Sequence, residues 1–249
     1  MISDGHSATA SAYLAAPLPA ASTPWREASF CVVDLELTGL DPSVHEIVSF
    51  AGIAVSGGRI RPRDSVYRIV RPRRMPDADT IRIHGFLESD LEGAPPLDRA
   101  LDDLLEALTG RVLVAHAAGI EVGFLRPALE AQGLELRNPV VDTASLGREL
   151  RRLRAQPPLG SSGDGSSRSD DSSPGLAPLA RWLGLPVHRP HHAEGDAITT
   201  AQVFLALATH LERYGRVTVG SLERLSAPER ERASLGSAVR RLLAKLSRR

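Results

Sequence analysis

The chain has 249 residues, enough for one sizeable α/β domain with tails or for two smaller domains. Hydrophobic content of 42% and charged content of 24% match an ordinary soluble globular protein, while a formal net charge of zero rules out attraction to nucleic acid by a whole-molecule field. One cysteine, Cys31, excludes an internal disulfide, and no apolar run approaches the roughly 18–20 residues of a membrane span. With no basic, apolar leader of the secretory kind, a cytoplasmic protein without membrane contact is expected.

In chain order, residues 1–27 are rich in Ala, Ser, Thr and Pro and predict a disordered leader, with Trp25 marking where packing begins. An apolar run, Phe30-Cys31-Val32-Val33, predicts a first strand that continues through Asp34 and Glu36 to the turn at Thr38-Gly39. Ile47 to Val55 predicts a second strand, ended by the hairpin signal Ser56-Gly57-Gly58. Arg59-Ile60 and Ser65 to Val70 predict a third, giving an antiparallel meander that Pro72 and Pro76 stop.

After a short connector, Thr80 to Phe86, Pro95-Pro96 opens a helix with Leu97, Leu101, Leu104, Leu105 and Leu108 on one face. Val112 to Ala115 is a fourth strand and Pro139 to Asp142 a fifth, with helices predicted from Ile120 to Gln132 and from Thr143 to Ala155. Strand–helix–strand–helix after a meander predicts a mixed five-stranded sheet with helices on its faces. Residues 156–175 are low-complexity Gly, Ser, Asp and Pro, read as a flexible insertion within a domain spanning 28–214. Leu176 to Leu183 predicts a short helix, and His191 to Asp196 lead into a longer one through about Tyr214. Residues 215–249 form a basic tail with helical spacing (Arg240, Arg241, Lys245, Arg248, Arg249), either a docking helix, a phosphate-attracting one or a solvated end.

The chemistry centres on Asp34 and Glu36. Residues i and i+2 of a strand share a face, so two carboxylates project together from the end of a buried strand. They repel one another and are costly to desolvate, and a divalent cation with hard oxygen ligands relieves both problems; the alternative is a solvated strand end. Glu121 and Asp196 each open a predicted helix, where negative charge is favoured, so each can be a helix-start acid or a ligand. His191 and His192 precede Asp196, and a histidine beside metal-held carboxylates can act as general base on water. His188, His191 and His192 cluster, but without the regular spacing of a zinc site.

Together these segments resemble the DEDDh (DnaQ-like) 3′–5′ exonuclease family, typified by the proofreading epsilon subunit of bacterial DNA polymerase III. VVDLELTGL is similar to the first motif, with Asp34 and Glu36 in its acidic positions. VAHAAGIEVGFL, Val114 to Leu125, is similar to the second, with Glu121 where Asp is usual and Ala117 where Asn is usual. HHAEGDA is similar to the third, H-x-A-x-x-D-A, with His191 as base and Asp196 as last acid.

The resemblance implies a ribonuclease H-like sheet and a two-metal mechanism with two Mg²⁺ or Mn²⁺ ions held by Asp34, Glu36, Glu121 and Asp196. It implies His191 as the base, and Thr38, Gly39, Leu40 and His116 as contacts to the terminal nucleotide. The expected activity releases 5′-mononucleotides from the 3′ end of single-stranded DNA, with a DNA polymerase subunit as a further partner. Two alternatives accompany it: an RNA or oligonucleotide 3′ exonuclease, and a catalytically silent module that binds nucleic acid or a polymerase.

Overall fold

The computed structural model describes residues 6–74, 85–155, 175–215 and 217–227. Most of the predicted connector, the insertion from 156 to 174 and the basic tail residues Arg240, Arg241, Lys245, Arg248 and Arg249 lie outside them. The strands are β1 (Ser29–Leu37), β2 (Ile47–Ser56), β3 (Arg59–Ile60), β4 (Val66–Ile69), β5 (Val112–Ala115) and β6 (Val140–Asp142). The helices are α1 (Ala8–Ala15), α2 (Glu88–Glu92), α3 (Leu97–Leu108), α4 (Gly119–Glu130), α5 (Thr143–Ala155), α6 (Leu176–Trp182), α7 (Ala193–Leu211) and α8 (Val219–Ser226).

The sheet runs β3-β2-β1-β5-β6, with β4 also on β2. β1 is antiparallel to β2 and parallel to β5, which in turn is parallel to β6. The meander and the parallel pair are therefore as expected. The third predicted strand is two, however, so six strands stand where five were expected. A 3₁₀ turn at Pro62–Asp64 breaks it, and each half pairs separately with β2.

Alternation along β1 sorts its side chains between two cores. Phe30 and Val32 join α5, α6, α7 and α8 on one face, where Leu146, Leu150, Phe204 and Leu207 pack. Cys31, Val33 and Leu35 join α1, α3 and α4 on the other, against Leu104, Leu105, Phe124 and Leu125. Full burial of each such Leu or Phe stabilises by about 1.5–3 kcal/mol. Burial pushes the Cys31 thiol up to about 12, leaving it an inert core residue.

The leader is not disordered in its described part. Ser7 caps α1 by accepting from the Ala10 N–H, and Tyr13 is only 2% exposed. The Tyr13 hydroxyl donates to Asn138 Oδ1 at 2.7 Å. The sequence hid this helix because it has no sustained apolar periodicity: only Ala10 and Tyr13 of α1 are buried. Trp25 is buried and its indole N–H donates to Glu212 at 2.6 Å, and the Val219 and Gly220 N–H groups bond Thr23 and Ala21. Packing thus extends past 28–214 at both ends. Among the described residues no helix is long and apolar enough to cross a membrane.

Candidate active site

Asp34 and Glu36 lie on the β1 face covered by α7, opposite Ala51 and Ser49 of β2. The register shifts between Glu36 and Leu37, so pairing loosens just past the second acid. The first turn of α7 brings in Asp196, and carboxylate oxygens of Asp34, Glu36 and Asp196 lie within 4.8 Å of one another. Three carboxylates at this range suppress one another's ionisation. Burial, then Glu121, Asp196 and Glu36, push Asp34 well above the usual carboxylate range. Burial and Asp196 push Glu36 up to about 7. Burial also raises Asp196, against the opposing pull of a backbone N–H.

Glu121 opens α4 and is 5% exposed, with Oε2 buried and without a hydrogen-bond partner. Burial first, then Asp142, pushes it up to about 8. It is the charge that acts most strongly on Asp34, yet it is not part of the close group of three. It comes from the first turn of α4, an element separate from those that carry the other three. Among the described residues no arginine or lysine pairs with any of these four acids. Converging, unpaired, oxygen-only donors suit a hard divalent cation, and the orphaned Oε2 fits a group that supplies positive charge.

The two histidines separate clearly. His191 is exposed in a left-handed conformation, φ 60°, and its N–H donates to Asp196 Oδ2 at 2.8 Å. His192 stacks on Tyr67 of β4, with ring centroids 4.9 Å apart. Gly195 lets this loop cross the start of α7, since a Cβ there would stand 2.6 Å from the carbonyl oxygens of His188 and Arg189.

Thr38 closes the hairpin, its hydroxyl accepting from the Glu46 N–H at 2.9 Å. Gly39 packs under the His45 ring, where a Cβ would lie 2.5 Å away, and Leu40 is 75% exposed. His116 Nδ1 lies 3.0 Å from Thr143 Oγ1. Two further residues make contacts to which the sequence assigned no role. Asp142 accepts from the N–H groups of Ala117, Ala118, Ala144 and Ser145, tying the second motif to α5. An Asp ending a strand just before a helix is the signal that marks it. Tyr67, by contrast, left no signal, because only strand pairing brings it to His192.

The exonuclease family profile (RNase T) matches residues 31–204. The chain belongs to this family. Its exonuclease domain is 32% identical over 200 residues to the PolC-type DNA polymerase III of Thermotoga maritima, covering 80% of this chain and 13% of that protein. It is 31% identical over 205 residues to a DNA polymerase III subunit epsilon-like protein of Rhodobacter capsulatus, covering 81% of this chain and 27% of that protein. The chain therefore spans well under a third of these relatives. Exonuclease X bound to 5′-overhanging duplex DNA superposes with TM-score 0.58 at 19% identity, over 80% of this chain and 99% of that one. Escherichia coli exonuclease I bound to dT13 gives 0.61 at 16%, over 75% and 42%. These likenesses show the ribonuclease H-like exonuclease fold.

Proposed function

We propose that this exonuclease domain removes nucleotides from the 3′ end of single-stranded DNA, releasing 5′-mononucleotides. The approach of Asp34, Glu36 and Asp196 within 4.8 Å carries the reading. Asp34, Glu36 and Asp196 would hold divalent cations, two Mg²⁺ or Mn²⁺ ions in this reading, with Glu121 supporting them behind Asp34. Such ions, when bound, activate water and offset charge on the phosphate and on the leaving 3′ oxygen.

The chain's own residues do the rest. The His191 ring, exposed beside the acids, takes the proton of the attacking water, and the bond from its N–H to Asp196 fixes where it stands. Leu40, projecting from the hairpin end, packs against the terminal base. Thr38 and Gly39 offer backbone contacts to that nucleotide, and His116 stands ready at the second motif. The polymerase III names among the relatives support a DNA polymerase as partner.

The test is hydrolysis of 5′-labelled single-stranded DNA with Mg²⁺, Mn²⁺ or EDTA, beside Asp34→Ala. A metal-dependent ladder shortening from the 3′ end and absent in the variant is expected. Degradation of RNA but not DNA of the same sequence would move the substrate to RNA. Inactivity on both would leave a silent binding module.

A further inference from the structure

A strongly basic surface lies at the far end of the domain, where α5, α6 and α7 finish together. Trp182, at the end of α6, is 37% exposed, and its ring carries two guanidinium groups, Arg151 at 5.0 Å and Arg154 at 4.7 Å from the centroid. His210, in the last turn of α7, is held below its ordinary pKa by burial and then by the charges of Arg154 and Arg213, which places these groups in one field.

Among the described residues, little acid answers this charge. Glu149 pairs with Arg152 at 2.6 Å and Glu212 pairs with Arg26 at 2.9 Å. Among the described residues, Arg151, Arg154 and Arg213 form no ion pair, and Arg151 Nε is buried without a hydrogen-bond partner. In a chain of zero net charge, guanidinium groups gathered in this way repel one another, and a polyanion relieves the repulsion. Guanidinium groups laid on a part-exposed aromatic ring also suit a single strand, with phosphates on the guanidinium groups and a base against the exposed part of the ring. An acidic protein segment would use the charges and have no need of the ring.

We propose that Arg151, Arg154 and Trp182 form a second binding site for the single strand whose 3′ end enters the carboxylate cluster, an inference that rests on the exonuclease reading. The geometry sets the reach. Both α5 and α7 begin at the active site, through Thr143 beside His116 and through Asp196. Arg154 is eleven residues along α5 and His210 fourteen along α7, so at 1.5 Å per residue the surface lies about 17–21 Å away. At about 3.4 Å per stacked nucleotide, a strand bridges this span with about five or six nucleotides.

The experiment compares oligothymidylates of about four and about fifteen nucleotides on the full chain, by fluorescence anisotropy in EDTA and by hydrolysis in Mg²⁺. The longer strand is expected to bind at least about tenfold more tightly, the effect of one base stack and several phosphates. Arg151→Gln with Arg154→Gln should erase this advantage and flatten the salt dependence of log K by about 1.4, about 0.7 for each lost single-strand contact. Trp182→Ala should weaken only the longer strand, while hydrolysis of the shorter one stays at the wild-type rate in every variant. Equal binding of both lengths by the wild type overturns the proposal, as does undiminished long-strand binding by the double variant. Competition by polyglutamate as strong as that by the oligonucleotide overturns it in favour of an acidic protein partner. Failure of the wild type to cleave the short strand in Mg²⁺ sinks the exonuclease reading itself, which the EDTA arm does not depend on.

Discussion

The Asp196 carboxylate accepts a 2.8 Å hydrogen bond from the backbone N–H of His191, five residues earlier. One short loop therefore sets both the proposed base and the proposed ligand at once, because movement of the histidine moves a donor to the acid. The left-handed backbone at His191 is a conformation that side chains other than glycine rarely adopt. Three contacts hold it: the bond to Asp196, the stack of His192 on Tyr67, and the close crossing at Gly195.

His191→Ala is expected to lower kcat by about 10²–10⁴, the contribution of a general base. His192→Phe should keep most of the activity, because a phenyl ring preserves the stack on Tyr67. Single-turnover assays on labelled DNA separate the two, and equal loss in both variants would remove His191 from its role.

Gly195→Ala should cost about 1–3 kcal/mol of stability and at least tenfold in turnover, since its Cβ would meet two carbonyl oxygens at 2.6 Å. Gly119→Ala, with nothing within 4 Å of the added Cβ, serves as the neutral comparison. Urea midpoints and kcat for both variants decide the matter, and a silent Gly195→Ala would mean the loop does not need its present path.

The acids predict an inverse pH dependence of stability without metal. Glu36 is pushed up from 4.5 to about 7 and Glu121 from 4.5 to about 8, so the folded chain keeps protons that the unfolded chain has released. Folded-state protons in excess make stability fall as pH rises, here from about 4.5 through about 8. The melting temperature in EDTA should therefore drop across this window, and added Mg²⁺ should restore more of it at the alkaline end, where the ligands are ionised. Glu121→Gln should flatten the upper part of the fall and weaken metal binding. A melting temperature that rises with pH in EDTA would show that these carboxyl groups are not held neutral.

Ala117 also sits in the left-handed region, φ 58°, at the position where the motif it resembles usually has Asn. Asn tolerates this conformation better than Ala, for which it costs about 1–2 kcal/mol. Asp142 offsets part of the cost by accepting the Ala117 N–H at 2.9 Å. Ala117→Asn is expected to raise stability by about 0.5–1 kcal/mol without loss of turnover. An unchanged or lower urea midpoint would show that the turn is not strained.

Local pattern was enough wherever chemistry follows chain order. Alternation along 30–37 put Asp34 and Glu36 on one face, and leucine spacing placed α3. The H-x-A-x-x-D segment paired His191 with Asp196, and three ordered motifs carried the family. Long-range pairing decided everything that depends on distant segments meeting. Tyr67 reaches His192 because β4 pairs with β2 beside α7, and Glu121 stands apart from the other three acids because α4 approaches from its own direction. The leader folds because Tyr13 finds Asn138, 125 residues away. Trp182 meets Arg151 and Arg154 because two helix ends converge. Periodicity reports which way a side chain faces along its own element; which group it then meets depends on how the elements pack, and no local pattern carries that information.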